Sequence, residues 1–283
     1  TIDGFPVRPG FFRDFGATVI PGGVNFTVQS HGAYSIELLL FHRGAEEPFA
    51  ELKFPDNYRI GFVYSMIVFG LDIEEFEYAY RVDGPYDEKK GLRFDRTKIL
   101  LDPYARAVTG QSRWGHKNNA LHGYRARVVR SNFDWGKERT SQIPMEDLII
   151  YETHVRGFTK HSSSKVPYKG TYRGVIEKLP YLKELGINQI QCMPVYEFDE
   201  CTGRKINYWG YGPAYYFAPK ESYAAGKSAV NELKDMIKAC HREGMEVVLE
   251  MPFTQGIPNQ TVLECLRFYM LEYHVDGFIV NPY

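Results

Sequence analysis

The sequence predicts two kinds of fold in succession: an immunoglobulin-like β-sandwich, then an α/β region that forms the first half of a (β/α)8 TIM barrel. Over the first hundred residues, short strands of two-residue periodicity are bounded by turn signals, and helical periodicity is absent. From Asp147 onward, short apolar runs alternate with amphipathic helical segments. That alternation is typical of a parallel sheet with right-handed crossovers.

Four strands are predicted in the first region, at residues 23–30, 35–41, 61–69 and 76–82. In the first of them Val24, Phe26 and Val28 alternate on one face. The second region contains predicted strands at residues 148–151, 187–193, 246–250 and 277–280, with helices at residues 175–185, 229–242 and 260–273. Gly186 is expected to cap the first helix. Four strands with their helices fit half of an eight-stranded barrel.

Composition sets limits on the function. The net charge of −1 gives no support for binding to nucleic acid or to an acidic membrane. Neither a signal peptide nor an 18-residue apolar run is found. The chain has four scattered cysteines, Cys192, Cys201, Cys240 and Cys265. Because they include no Cys-x-x-Cys pair, a zinc site is not expected. Their scatter indicates reduced thiols and hence a cytoplasmic protein. Aromatic residues make up 15% of the chain, which fits either an aromatic core or the stacking of sugars.

Three phrases in the first region resemble a known module. They are Gly-Gly-Val-Asn-Phe at residues 22–26, Tyr-Arg-Val-Asp-Gly-Pro-Tyr at 80–86 and Leu-Leu-Asp-Pro-Tyr-Ala at 100–105. Together they look like the N-terminal module of isoamylase-type glycogen debranching enzymes, classed as a family-48 carbohydrate-binding module. The resemblance implies a module over residues 1–110 that either binds glucan or only braces the catalytic barrel.

Residues 111–146 are polar and irregular and are interpreted as a linker, in which Trp114 and Trp135 are expected to pack rather than bind. Residues 147–283 resemble the first half of the barrel of glycoside hydrolase family 13, the α-amylase superfamily. The phrases that carry this resemblance lie at residues 151–159, 170–174, 182–187, 207–213 and 216–219. His154 and Arg156 are expected to lie in the barrel core and at its top rim, and neither is expected to be catalytic.

The last residues resemble the fourth barrel strand of that family, where the usual run is Asp-Gly-Phe-Arg-Phe-Asp and the final Asp is the nucleophile. Here Ile279 stands in place of the Arg and Asn281 in place of the nucleophile. An amide is neutral and a poor nucleophile, so no catalytic residue is expected in this chain. Asp276 lies five residues earlier, at the opposite end of the strand, and cannot substitute. The resemblance places the acid of the carboxyl pair required for retaining hydrolysis on a strand beyond Tyr283.

The third barrel strand departs from the family pattern too. Asp-Val-Val-Tyr-Asn-His is replaced by Glu-Met-Pro-Phe-Thr-Gln at residues 250–255, and the following loop is far shorter than in debranching enzymes. Gln255 replaces a sugar-binding His and can fill that role only in part. Thr254 replaces an Asn that often binds calcium, so no metal or cofactor is expected. Tyr211 matches the aromatic residue that stacks under the sugar at the cleavage subsite, and Trp209 lies beside it. Their loop either binds sugar or only packs the barrel.

The resulting hypothesis is a catalytically inactive relative of glycogen debranching enzymes that binds an α-glucan such as glycogen or starch through Tyr211, Trp209 and Gln255. One alternative is an active isoamylase-type hydrolase that cleaves α-1,6 branches with a rearranged site. Another is a structural or partner-binding remnant. Four parallel strands cannot close a barrel, so the strands at residues 148–151 and 277–280 are expected to have open edges. The expected partner at those edges is the C-terminal half of the same barrel, beyond Tyr283.

Overall fold

The computed structural model describes residues 1–116, 123–138, 141–202, 204–226 and 228–280. The chain forms two compact units, Thr1–Gly110 with Asn118–Arg130 and Gln111–Lys117 with Ser131–Tyr283. Part of the segment interpreted as a linker therefore belongs to the first unit, where it contributes a strand to a sheet.

The described part of the first unit contains strands β1 (Val7–Pro9), β2 (Gly16–Ile20), β3 (Gly23–Gln29), β4 (Ser35–His42), β5 (Ala50–Lys53), β6 (Arg59–Ile60), β7 (Val63–Phe69), β8 (Phe76–Asp83), β9 (Tyr86–Asp87), β10 (Leu92–Arg93), β11 (Ala107–Thr109) and β12 (Arg125–Arg127). One antiparallel sheet has the order β1-β7-β3-β2, with β6 also paired to β7. The other has the order β11-β12-β8-β4-β5, and β9 and β10 form a hairpin. Phe26 of the first sheet meets Tyr78 of the second at 5.2 Å between ring centroids, so the core lies between the two sheets. The predicted sandwich is confirmed.

Strand β3 is buried on both faces, whereas the sequence pattern predicts one buried face. Val24 and Phe26 are fully buried, and the polar Asn25 and Thr27 on the opposite face are buried as well. The Thr27 hydroxyl donates to the carbonyl of Phe11 at 2.9 Å, and the Asn25 amide donates to that hydroxyl at 2.9 Å. The segment that contains Phe11 thus covers the outer face, and its polar contacts satisfy the buried polar side chains.

The second unit contains strands β13 (Ile150–Thr153), β14 (Gln189–Cys192), β15 (Tyr196–Glu197), β16 (Tyr215–Pro219), β17 (Glu246–Glu250) and β18 (Gly277–Ile279), and helices α1 (Val155–Lys160), α2 (Tyr172–Glu177), α3 (Leu179–Glu184), α4 (Ala229–Arg242) and α5 (Asn259–Tyr273). Strands β13, β14, β17 and β18 form a parallel sheet in that order, which confirms the predicted pairing. Strands β15 and β16 form a separate antiparallel pair.

The helix predicted at residues 175–185 is in fact two short helices, α2 and α3. Pro180 lies in the first turn of α3. Because proline has no N–H and its ring collides with the preceding turn, a continuous helix cannot pass through this position. Gly186 ends α3 as predicted, with a φ of 79°. In the part of the chain that the structure covers, no helix is both long and apolar enough to cross a membrane.

Among the described residues, the parallel sheet has two open edges, at β13 and β18, as the sequence predicts. Ile149 and Ile150 at the first edge are 51% and 50% exposed. An exposed edge with apolar side chains is a surface on which a further strand can add. The sheet in this chain is therefore an open half of a barrel.

Candidate functional site

The carboxyl ends of the parallel strands lie together at one edge of the sheet, which is where sheets of this architecture bind ligands. His154 directly follows β13 there, and Gln255 lies on the exposed turn after β17. Asn281, at the position of the expected nucleophile, lies outside the described residues. The described residues at this edge lie on the loops after β13, β14 and β17.

The two aromatic residues singled out in the sequence lie on one loop that polar contacts hold in place. Asn207 donates its amide N–H to the carbonyl of Tyr211 at 2.9 Å and accepts from the Gly210 N–H at 3.1 Å. The Tyr196 hydroxyl donates to the Gly210 carbonyl at 2.9 Å. Gly210 has a φ of 85°, and a Cβ there would lie 2.6 Å from the Phe198 ring. Glycine is required at this position on both grounds.

Tyr211 combines an accessible ring with a fixed hydroxyl. The residue is 37% exposed. Its hydroxyl donates to Oε2 of Glu250, the last residue of β17, at 2.8 Å. The other oxygen of Glu250 accepts from the Gln191 side chain of β14 at 2.9 Å. Glu250 lies in the motif at residues 250–255, but the sequence pattern does not show which side chain faces its carboxylate.

Trp209 is half exposed, and its ring contacts His154 at the end of β13 and Tyr208 on its own loop. It meets His154 edge-on at 5.8 Å and Tyr208 edge-on at 5.3 Å. The His154 and Tyr208 rings are stacked 4.4 Å apart. The loop therefore spans two strand ends, with Trp209 near β13 and Tyr211 near β17.

His154 is a structural histidine with a defined tautomer. Its Nδ1 accepts from the Gly157 N–H at 3.0 Å and caps α1. Its Nε2 faces the carbonyl of Tyr208 at 2.8 Å, so Nε2 carries the proton. Burial lowers the pKa of His154 and favours this neutral form. These contacts agree with the expectation that His154 belongs to the core.

A buried charge network, which the sequence analysis did not identify, supports the loop after β15. Lys220 is completely buried and donates to Glu197 at 2.8 Å, Glu200 at 2.9 Å and the Phe198 carbonyl at 2.8 Å. Burial raises the pKa of Glu197 and outweighs the attraction of Lys220. Burial acts in the same direction on Glu200, but Lys220 and the Gly115 N–H outweigh it and lower the pKa of that carboxyl. The local sequence pattern does not predict that Lys220 pairs with Glu197 and Glu200, because these residues lie on separate segments.

The two tryptophans of residues 111–146 pack, as expected. Trp114 is stacked 5.8 Å from Tyr223 at 23°, and the Arg156 guanidinium lies 4.8 Å from its centroid. Trp135 is stacked on His274 at 4.0 Å. Both indoles thus contribute to the packing of the second unit.

The turn after β17 is anchored by Tyr216. The Thr254 N–H donates to the Tyr216 hydroxyl at 3.0 Å, and its own hydroxyl lies 3.2 Å from the same oxygen. Gln255 follows with an exposed side chain. Among the described residues there is no group of three or more His, Cys, Asp or Glu side chains that could hold a metal ion.

Asp276 lies at the opposite edge of the sheet, before β18. Its Oδ2 accepts from the Val247 N–H at 2.7 Å and faces Nε2 of His241 at 2.8 Å. Val247 is near the start of β17, so this carboxylate is at the amino ends of the strands. Asp276 is too far from the carboxyl ends to replace a nucleophile there, as the sequence predicts.

Two family models match the chain. Residues 14–105 match carbohydrate-binding module 48, the isoamylase N-terminal domain. Residues 130–268 match the α-amylase catalytic domain.

Similar curated proteins include isoamylase 1, chloroplastic, of Arabidopsis thaliana, which is 32% identical over 98% of this chain and 44% of its own length. The glycogen debranching enzyme of Yersinia enterocolitica is 31% identical over 90% of this chain and 48% of its own length. The chain thus spans less than half the length of these relatives. It is related to proteins of α-glucan metabolism.

Solved structures of similar fold include pullulanases. That of Paenibacillus barengoltzii, in complex with maltohexaose and α-cyclodextrin, has a TM-score of 0.78 and 21% identity, covering 96% of this chain and 49% of that one. That of Anoxybacillus sp. LM18-11, in complex with maltotetraose, has a TM-score of 0.74 and 26% identity, covering 94% of this chain and 44% of that one. The agreement extends over both units.

Proposed function

This chain belongs to the α-amylase family, in which it combines a carbohydrate-binding module 48 with part of a catalytic domain, and we propose that it binds an α-glucan such as glycogen or starch without cleaving it. Two features support the proposal, one from the structure and one from the sequence. Aromatic groups suited to sugar are present, and the groups that the chemistry requires are replaced.

The observation that carries the proposal is the exposed aromatic pair on the loop over the strand ends. Trp209 is 50% exposed and Tyr211 is 37% exposed, although large aromatic residues are usually buried. Both lie on a loop held by hydrogen bonds, so the rings are presented in fixed positions. Pyranose rings have apolar C–H faces that stack on such surfaces. Solved pullulanases bind maltooligosaccharides, according to the complexes described above.

Loss of hydrolysis is proposed from the replaced positions. Asn281 has no negative charge with which to attack an anomeric carbon or stabilise an oxocarbenium ion. Ile279 and Gln255 replace two further polar groups of the family pattern. The alignment with the Arabidopsis isoamylase covers 344 residues, more than the 283 of this chain, so the relative has additional residues within the aligned region. Only eight residues, 251–258, separate β17 from α5, and this short connection supports a reduced cleft wall.

The remaining half of the barrel is part of the same proposal. We expect the edges at β13 and β18 to pair with further strands of the same polypeptide, because a barrel of this type closes with eight strands. Binding and activity are therefore properties to be measured on the complete protein.

Affinity electrophoresis in gels containing glycogen, with a reducing-end assay on the same preparation, tests the proposal. Retardation without release of reducing ends is the expected result. The variants Trp209→Ala and Tyr211→Ala should each reduce the retardation, and Trp135→Ala, whose ring packs on His274, is the aromatic control. Retardation unaffected by either loop variant would show that this loop does not bind glucan. Absence of retardation in the wild type would favour a structural remnant.

A further inference from the structure

The Tyr211 ring is fixed by a hydrogen bond whose acceptor is a buried carboxylate. Glu250 is only 7% exposed. Each of its two oxygens faces a different donor, the Gln191 amide at 2.9 Å and the Tyr211 hydroxyl at 2.8 Å. The carboxylate thus connects the sheet, through β14 and β17, to the aromatic loop.

The backbone of that loop is already held by Asn207 and by the contact of Gly210 with Phe198. The remaining freedom of Tyr211 is rotation of its side chain. A hydrogen bond from the hydroxyl restricts this rotation, above all about the Cα–Cβ bond, because it fixes where the far end of the ring lies. An ionised acceptor makes such a bond about twice as strong as a neutral one.

We propose that Glu250 is a positioning residue that holds the Tyr211 ring ready to stack against a glucosyl unit. This inference rests on the proposed glucan binding and adds the residue that orients the binding surface. A ring fixed before the ligand arrives does not lose side-chain entropy on binding, a loss that costs about 0.5–1.5 kcal/mol for a mobile side chain. Glu250 itself need not touch the sugar.

The two substitutions Tyr211→Phe and Glu250→Gln separate positioning from stacking. Tyr211→Phe keeps the ring and removes the donor. Glu250→Gln keeps the shape but replaces one carboxylate oxygen with an amide NH2, so the charge-assisted bond from the Tyr211 hydroxyl gives way to a weaker, neutral one. We expect each variant to weaken binding of maltoheptaose by about three- to tenfold, measured by isothermal titration calorimetry.

A double-mutant cycle distinguishes positioning from a general structural effect. If Glu250 acts through the Tyr211 hydroxyl, Glu250→Gln should have little further effect in the Tyr211→Phe background. A merely structural role for Glu250 would weaken binding equally in both backgrounds. Tyr172→Phe is the matched control, because it removes a hydroxyl from a fully buried ring that hydrogen-bonds the Val195 carbonyl in the core. Its affinity for maltoheptaose should equal that of the wild type.

The outcomes separate this inference from the proposed function. If the wild type does not bind maltoheptaose, the proposed glucan binding is refuted and the role of Glu250 with it. If the wild type binds, Tyr211→Ala abolishes binding and Tyr211→Phe does not alter it, glucan binding stands and only the positioning role is refuted. Equal effects of Glu250→Gln in the two backgrounds also refute the positioning role. Non-additive losses for Tyr211→Phe and Glu250→Gln support it.

Discussion

Replacement of Lys220 by Met breaks a fully buried charge network in the second unit. The ammonium makes three hydrogen bonds of 2.8–2.9 Å, two of them to carboxylates of fully buried side chains. Lys220→Met leaves Glu197 and Glu200 without their shared cation in a region from which water is excluded. Removing one partner of a buried ion pair costs about 3–5 kcal/mol. Since domains are stable by about 5–15 kcal/mol, this loss is a large part of the total.

Urea unfolding near pH 7, followed by tryptophan fluorescence, measures this cost. Trp114 is a suitable reporter, because its ring centroid lies 5.3 Å from the Lys220 ammonium. Lys183→Met is the matched control: Lys183 pairs with Glu243 at 2.7 Å, but both side chains are exposed, so a loss below about 1 kcal/mol is expected.

The triple variant Lys220→Met, Glu197→Gln, Glu200→Gln removes the uncompensated charge together with the cation. We expect it to recover most of the stability lost by Lys220→Met, because replacing a whole buried charge network is far less costly than breaking it. A Lys220→Met variant that loses no more stability than Lys183→Met would refute this account of the buried network.

Three further predictions concern pH and the loop. Burial raises the pKa of Asp102 from 3.8 to about 6. The unfolded state therefore releases this proton at lower pH, and stability relative to Asp102→Asn should fall by about 2 kcal/mol from pH 4 to pH 6 in urea titrations. Burial alone would lower the pKa of His241, but its hydrogen bonds to Asp276 and Glu138 outweigh burial and raise it. The stability that protonated His241 contributes is therefore complete below pH 6.5 and is lost as the pH rises through the raised pKa. In the same titration, His241→Gln should not show this decrease of stability with rising pH. Gly210→Ala, at a φ of 85°, should destabilise the loop by about 1–2 kcal/mol and weaken glycogen retardation; unchanged retardation would contradict the fixed loop.

Periodicity located most of the predicted strands and helices, because apolar side chains recur along each of them at the spacing of a strand or a helix. Helix α4 and strand β17 have the predicted bounds, and the predicted parallel pairing is observed. Periodicity failed at Pro180, where the helical spacing of apolar residues continues but the backbone cannot form one continuous helix. It also failed on β3, where the outward polar residues are buried by a segment distant in sequence.

The candidate site was predictable only in part. The resemblance pointed to Trp209 and Tyr211, and both are exposed on one loop at the strand ends. The role of Glu250 and the Lys220 network depend on contacts between separated segments, which a single sequence does not show. Side-chain direction at a loop is set by tertiary contacts rather than by local pattern.

The central claim is that this protein holds α-glucan without cleaving it. The most direct test measures, on one preparation of the complete protein, retention by glycogen and release of reducing ends from glycogen and pullulan. The account predicts retention that depends on Tyr211 together with no release above the buffer control. Sustained release of reducing ends would contradict it, and loss of that release in Asn281→Ala would show that the amide side chain at position 281 takes part in catalysis.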